Sequence, residues 1–316
     1  MKLNKLVLTG ALGLTFFGLA GFTNSPAAAK KAYISAITTL NNSKVYNVQD
    51  MKIKVDSFKA TGNGAAAINA AATGANLDLK ASLDNSDKIA QYDFKGSALG
   101  QTYRLTGYLA PKGFYVNTND LKQILKTRAA VSSSTSFDQD FQLFLADHYL
   151  LVDATSLNQN LAPQTTWSAT LNQIFSGKQA QTSTKALNNL PATAFSQSGN
   201  KLTLNFSLKN NADFVNFVSA NSVAVPAAQL KQELSLISNS IVIKNYSVKT
   251  IIDTKAHSSQ STISADVKAK ASDSSVNFKI SVNSTVSKST AKIVVPTSEK
   301  TLSSDEFKLF TSLLQD

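Results

Sequence analysis

The chain has few residues able to do covalent chemistry. Among 316 residues there are two histidines (His148 and His257), three glutamates (Glu233, Glu299 and Glu306) and no cysteine. Without a thiol, disulfides, zinc–thiolate sites, iron–sulfur clusters and cysteine nucleophiles are excluded. His148 sits in Asp147-His148-Tyr149 with Asp153 nearby, two parts of a Ser/His/Asp triad. The G-x-S-x-G elbow that would present the serine is missing. His257 lies in the polar turn His257-Ser258-Ser259-Gln260, where a surface or capping role is expected. Asp138 and Asp140 begin like a calcium loop, but Phe141 and Gln142 stand where ligands should continue. They read as the acidic N-terminus of a helix. The glutamates form no glycosidase pair, and no dinucleotide fingerprint, P-loop or H-E-x-x-H occurs. The expectation is a protein that is not an enzyme, with no catalytic residue, no metal ligand and no cofactor.

Charge is the second chemical feature. Lys and Arg number 31 against 20 Asp and Glu, a formal net charge of +11. All but two of the cations are lysine, the exceptions being Arg104 and Arg128. Nucleic-acid readers depend on arginine for bidentate contacts, so a nucleic-acid partner is not expected. The lysines alternate with apolar residues, which marks them as the solvent face of strands. Residues 129–177 carry four Asp and no cation, whereas residues 241–300 carry nine Lys against four acids. This patchiness suits attraction to an anionic wall polymer, a membrane surface or host glycans.

The first 29 residues have the layout of an export signal. Lys2 and Lys5 precede the uncharged stretch Leu6–Phe22, Pro26 follows, and Ala27-Ala28-Ala29 offers an A-x-A-type site before Lys30. Residues 1–29 are therefore read as a cleaved signal peptide, with an uncleaved membrane anchor as the alternative. Cleavage removes two lysines and no acid, leaving +9. Leu19-Ala20-Gly21-Phe22 matches a lipobox except that Phe22 replaces the lipid-bearing cysteine. The exported protein is thus expected to be secreted, or held at the surface non-covalently, without a lipid anchor.

The rest of the chain must supply a fold. A helix is expected over about Lys31–Asn41. Alternation then marks strands at Met51–Val55, Leu77–Leu83, Ala90–Phe94 and Tyr103–Leu109, followed by Phe114-Tyr115-Val116. Turn residues separate them, which favours an antiparallel meander. Helical spacing follows: a helix capped by Asn119 with Leu121, Ile124 and Leu125, a second with Phe137 to Leu145, and a third with Trp167 to Phe175. Further helices are expected near Lys185–Leu190, at Phe214–Val218 and after Pro226. Tyr149–Val152 and Leu202–Leu208 read as strands within this region. Strands return from Ile241 to Val282 and again at Ile293-Val294-Val295, and a helix capped near Ser303 or Ser304 closes the chain. The expectation is one domain over 30–316, with a helical insert at about 117–240 and a sheet built from both ends of the chain. Two β-rich domains are the alternative.

Nearly every expected strand is apolar on one face only. Such a face must be covered, and a long twisted sheet tends to curl. The fold class is therefore α+β, a curled antiparallel sheet (half-barrel) with helices over its concave apolar face. Either the space between them is a filled core, or it holds a hydrophobic ligand. The candidates to line such a cavity are Met51, Ile53, Leu79, Tyr92, Leu105, Leu204, Phe206, Ile263 and Phe278.

The order of these elements resembles a known family. An exported N-terminal helix is followed by a Tyr-x-Leu-x-Gly-x-Leu strand (Tyr103–Leu109), Gly-Phe-Tyr-Val (Gly113–Val116) and a Leu-x-x-Ile-Leu helix. Long alternating strands and Ile-Val-Val-Pro-Thr come later. The pattern is similar to the bacterial envelope lipid-binding half-barrels that include LolA, LolB and the LppX/LprG lipoproteins, especially their lipoprotein relatives in Gram-positive bacteria. That resemblance implies a sheet wrapped around a hydrophobic cavity and binding of a lipid, another amphiphile or a lipoprotein acyl chain. A basic surface protein associating with anionic wall polymers or host glycans is the alternative.

Overall fold

The computed structural model describes residues 25–40, 42–98, 100–131, 149–160, 166–176, 184, 187–221, 231–232, 234–235, 240–297, 299–303 and 305–306. Strands β1 (Val48–Thr61), β2 (Asn76–Asp84), β3 (Ile89–Ala98), β4 (Gln101–Ala110) and β5 (Gly113–Asn117) form one antiparallel meander. Beyond them lie β6 (Tyr149–Asp153), β7 (Phe195–Ser198) and β8 (Lys201–Leu208), then the long β9 (Ile241–Asp253), β10 (Ser258–Ala269) and β11 (Ser275–Ser287), and last β12 (Lys300–Leu302). The twelve strands make one sheet in the order β12-β6-β5-β4-β3-β2-β1-β11-β10-β9-β8-β7. The join is β1 against β11, in register from Val48 opposite Ser287 to Thr61 opposite Ser275. One sheet therefore takes strands from both ends of the chain. The fold is α+β, with a large, curled, open sheet.

The sheet departs from a purely antiparallel one at an edge. β12 pairs parallel with β6, Leu302 beside Val152. Only three residues long, β12 has no visible alternation of its own. Nor does Ile293-Val294-Val295 form the expected strand: it is irregular, with Val294 77 % exposed and Val295 packed against Tyr115 and Leu151. The Ile293 N–H turns instead to the Asp84 carboxylate, 3.5 Å from Oδ2.

Two irregularities tune the apolar face. In β1 the register slips between Val55 and Ser57, leaving Asp56 unpaired. Met51, Ile53 and Val55 point to one side before this bulge; Phe58 and Ala60 keep the same side after it. β9 slips likewise opposite Asp266/Val267, so Tyr246 and Ile243 share a face. A strict period of two would have turned half of each long strand outward.

Helix α1 (Pro26–Leu40) packs along β7 and β8. Its buried residues Ala29, Ala32, Tyr33, Ala36, Ile37 and Leu40 recur at three- and four-residue spacing, one stripe of a helix. The helix begins at Pro26, so the expected cleavage bond after Ala29 falls within its first turn. Helix α2 (Ala65–Ala72) was not foreseen: an alanine run has no apolar/polar period to read. It runs beside the end of β1, where Asn69 replaces a strand. Its Nδ2 donates to Ala60 O (3.0 Å) and its Oδ1 accepts from Ala60 N (2.7 Å).

Helix α3 (Thr118–Val131) is capped by Asn117 rather than the expected Asn119. Asn117 Oδ1 accepts from the backbone N–H of Asn119 and Asp120 at 3.0 and 3.1 Å. Asp153 Oδ1 caps α4 (Ala154–Asn160) through Ser156 N at 2.7 Å. Thr166 caps α5 (Trp167–Phe175), and Asn210 Oδ1 caps α6 (Asn211–Asn221). At the far end Ser303 and Glu306 form a reciprocal capping box. The region 117–240 thus holds helices together with β6, β7 and β8. The expected helix over Phe137–Leu145 and the body of the last helix lie outside the described residues. Of the expected helix at Lys185–Leu190, residues 187–190 are described and 187–188 are helical. Most of the one expected after Pro226 lies outside the described residues, and its described residues 231–232 and 234–235 are helical.

Candidate functional site: the apolar face of the sheet

Backbone register carries the nine candidate residues onto a single face. Met51 stands opposite Leu79, Leu79 opposite Phe94, and Phe94 opposite Leu105. Ile53 leads through Val282 and Ser261 to Thr250 and Leu204. Phe206, Val248, Ile263 and Ile280 form the next row, and Phe278 faces Ala265 in the one after. Tyr92 stands two residues from Phe94 on the same side.

Packing divides the nine. Leu204, Phe206 and Ile263 are buried in a cluster that α1 covers with Tyr33, Ala36, Ile37 and Leu40, and Phe278 packs at its margin. Tyr33 meets Phe195 edge-on at 5.3 Å. A second cluster lies under α5, where Trp167, Leu171 and Phe175 cover Ala90 with Tyr92 at the edge. Trp167 is fixed by its indole N–H, which donates to Ala110 O at 2.9 Å. A third cluster joins Leu121 of α3 to Val116, Leu150, Val152 and Leu302, with Leu105 beside it. Between these clusters runs the middle of the face, on β11, β1, β2, β3 and β4. There Met51 is buried, but Ile53, Val55, Leu77, Leu79, Phe94 and Ile280 are only half-buried. The face is closed at three places and left partly open between them.

A strip of hydroxyls interrupts the apolar surface. Thr250 and Ser261 oppose each other and hydrogen-bond at 3.0 Å, and Gln49 Nε2 donates to Ser284 Oγ at 3.1 Å. Tyr33 hydrogen-bonds with Thr250. Ser259, 4 % exposed, has no partner for its hydroxyl among the described residues. Extending the Ile263/Ala265 alternation backwards through Ser261 to Ser259 would have revealed these inward serines. The apolar environment acts on the tyrosines: burial drives the Tyr33 phenol far above its ordinary range and pushes Tyr246 up to about 12.

At its β5/β6 end the opposite face holds a fourth apolar cluster, Ala110, Tyr115 and Leu151 with Tyr108, Tyr149 and Val295. Over β1, β2, β3 and the first half of β4 it is polar. Cross-strand neighbours alternate in sign there, with Lys52 opposite Asp78, Asp78 opposite Lys95, and Asp50 opposite Lys80. Arg104 holds Asp93 through Nε (3.2 Å) and Nη2 (2.8 Å). These side chains, with Gln123 of α3 on one flank, border an open groove of about 530 Å³. Of the nine candidates, Met51 and Leu79 also border it, by their place on β1 and β2 between these charged residues, while their side chains face the apolar side.

The residues considered for chemistry are scattered. Tyr46 Oη lies 3.2 Å from Nδ1 of His257, in the β9–β10 turn. Asp153 caps a helix, Glu299 pairs with Lys112, and Glu306 serves the capping box. His148, Asp138, Asp140, Asp147 and Glu233 lie outside the described residues. Among the described residues no group of three His, Asp or Glu could hold a metal ion. No helix among them is long and apolar enough to cross a membrane.

No protein-family model matches the chain, and no curated protein matches it. Among solved structures it is similar to the dehydratase domain of RzxB from Pseudomonas fluorescens. Identity is 10 % over 74 % of this chain and 76 % of that one, with a TM-score of 0.12. A likeness at that level carries no argument about fold or activity.

Proposed function

We propose that this is an exported, non-enzymatic envelope protein that holds a lipid or other amphiphile against the apolar face of its sheet. The observation that carries the reading is the half-buried middle of that face, bounded by three closed clusters. In this reading the sheet is a half-barrel with helices over its concave side. Ile53, Leu79, Tyr92, Leu105 and Phe278 line a trough, while Met51, Leu204, Phe206 and Ile263 form its floor and wall. Binding is burial without a covalent step. Each CH₂ removed from water contributes about 0.8 kcal/mol, so an acyl chain needs no charged contact to be held.

Titration with cis-parinaric acid, whose emission rises in apolar surroundings, tests this. Saturable binding is expected. Leu79→Lys should weaken it about tenfold or more, since an unpaired charge would be buried in the trough. Lys52→Ala, on the other face, should leave it unchanged. No binding, or equal binding by Leu79→Lys, contradicts the trough. The polar-face groove favours a second reading, charge-mediated association with anionic wall polymers, which moderate salt would reverse.

A further inference from the structure

We propose that the end of the sheet carrying α2 is a membrane-contact surface that docks on an anionic lipid bilayer. Ile68, on α2, is 51 % exposed and Val242, at the start of β9, is 39 % exposed; they are two of the three exposed large apolar side chains among the described residues. A run of hydrogen bonds joins their elements into one surface. Gly62 O accepts from Ala65 N, at the entry to α2. Thr61 Oγ1 bridges to Asp273 O (3.2 Å) and accepts from Ser275 N (3.0 Å). Lys270 N donates to Ser240 O (2.9 Å), beside Val242. Thr61, Ser275, Lys268 and Val242 are successive cross-strand neighbours, so the patch spans about 14 Å across the sheet.

Its charge suits an anionic surface. The stretch 62–75, which includes α2, bears no charge at all. Exposed Lys59 and Lys270 flank it and make no ion pair among the described residues, whereas Lys268 is paired with Asp273 at 3.3 Å. Apolar residues that dip into the headgroup region, with lysines on either side, are the physical signature of interfacial binding. The trough points the same way. Phe58, Val267, Val276 and Phe278 continue the half-buried apolar face to this end. An acyl chain lying on the sheet would therefore meet the bilayer here. The contact itself needs no ligand in the trough, so its failure would leave the lipid-binding reading standing.

The absence of cysteine allows a site-specific test on the full chain. Ile68→Cys and, at the opposite end of the sheet, Lys255→Cys are each labelled with an environment-sensitive nitrobenzoxadiazole dye. Vesicles with about 30 % anionic lipid should blue-shift and brighten the dye at 68 and leave that at 255 unchanged. Zwitterionic vesicles should do neither. Adding Lys59→Gln and Lys270→Gln to the labelled Ile68→Cys chain should weaken the response about tenfold, with unchanged circular dichroism. An unchanged dye at 68, or equal shifts at both positions, overturns the proposal. So does a shift at 68 that needs only higher protein concentration, which would assign the patch to a second copy of the chain.

Discussion

Single residues on the apolar face carry a pH signature. Unfolded tyrosine loses its proton near pH 10, but Tyr246 in the folded chain holds it to about 12 because burial disfavours the phenolate. Between those values the unfolded state binds fewer protons, so stability must fall as pH rises. The slope approaches about 1.4 kcal/mol per pH unit for one such group. Tyr33, shifted the same way, adds to it. Alkaline denaturation followed by circular dichroism should therefore show loss of structure above pH 10. Tyr246→Phe should shift that transition to higher pH; an identical transition in the variant would mean that the phenol is hydrated in the folded chain. At low pH the sign reverses. The Ser86 hydroxyl, with the N–H groups of Asp87, Ile293 and Ser86, holds the Asp84 carboxyl below its usual range. Its contribution is complete above the ordinary carboxylate pKa and is lost as pH falls through the lowered value.

At the scale of elements, the strands were the legible part. β2, β3, β8, β10 and β11 announce themselves because each buries one face, which forces a period of two. β7 and β12 stayed hidden: strands of four and three residues are defined by their neighbours. α2 stayed hidden because it is held by Asn69 and not by an apolar stripe. The bulge at Asp56 escaped too, because the alternation was followed only as far as Val55. Strand pairing puts the nine candidate residues on one face, since alternation determines facing. Which of them would be sealed under α1 depends on where a helix docks, and local pattern does not encode that. Asn69 offers a test. Asn69→Ala leaves the N–H and C=O of Ala60, itself 7 % exposed, without partners. That should cost about 1–3 kcal/mol, more than the roughly 0.7 kcal/mol gained in helix propensity. Urea denaturation should show the deficit; unchanged stability would mean that water replaces both bonds without loss.

The whole molecule joins two unlike surfaces. Its lysines lie mainly on the polar side and at the ends of the sheet, which makes a charged exterior for an apolar interior. If the chain is exported as proposed, it loses its leader and works at the envelope. The mass of the exported protein should then match a chain starting at Lys30. That start shortens α1 by one turn but leaves Lys30 Nζ on the carbonyls of Asn188 and Leu190, at 2.7 and 2.5 Å. A start well downstream, beyond Tyr33, would remove the cover of the main cluster and contradict the account. The central claim is that the apolar face carries a lipid. Native mass spectrometry of gently purified protein tests it most directly. The account predicts a population heavier than the polypeptide by the mass of one or more extractable amphiphiles, lost in Leu79→Lys. Protein recovered only at its polypeptide mass, before and after incubation with lipid vesicles, would contradict it.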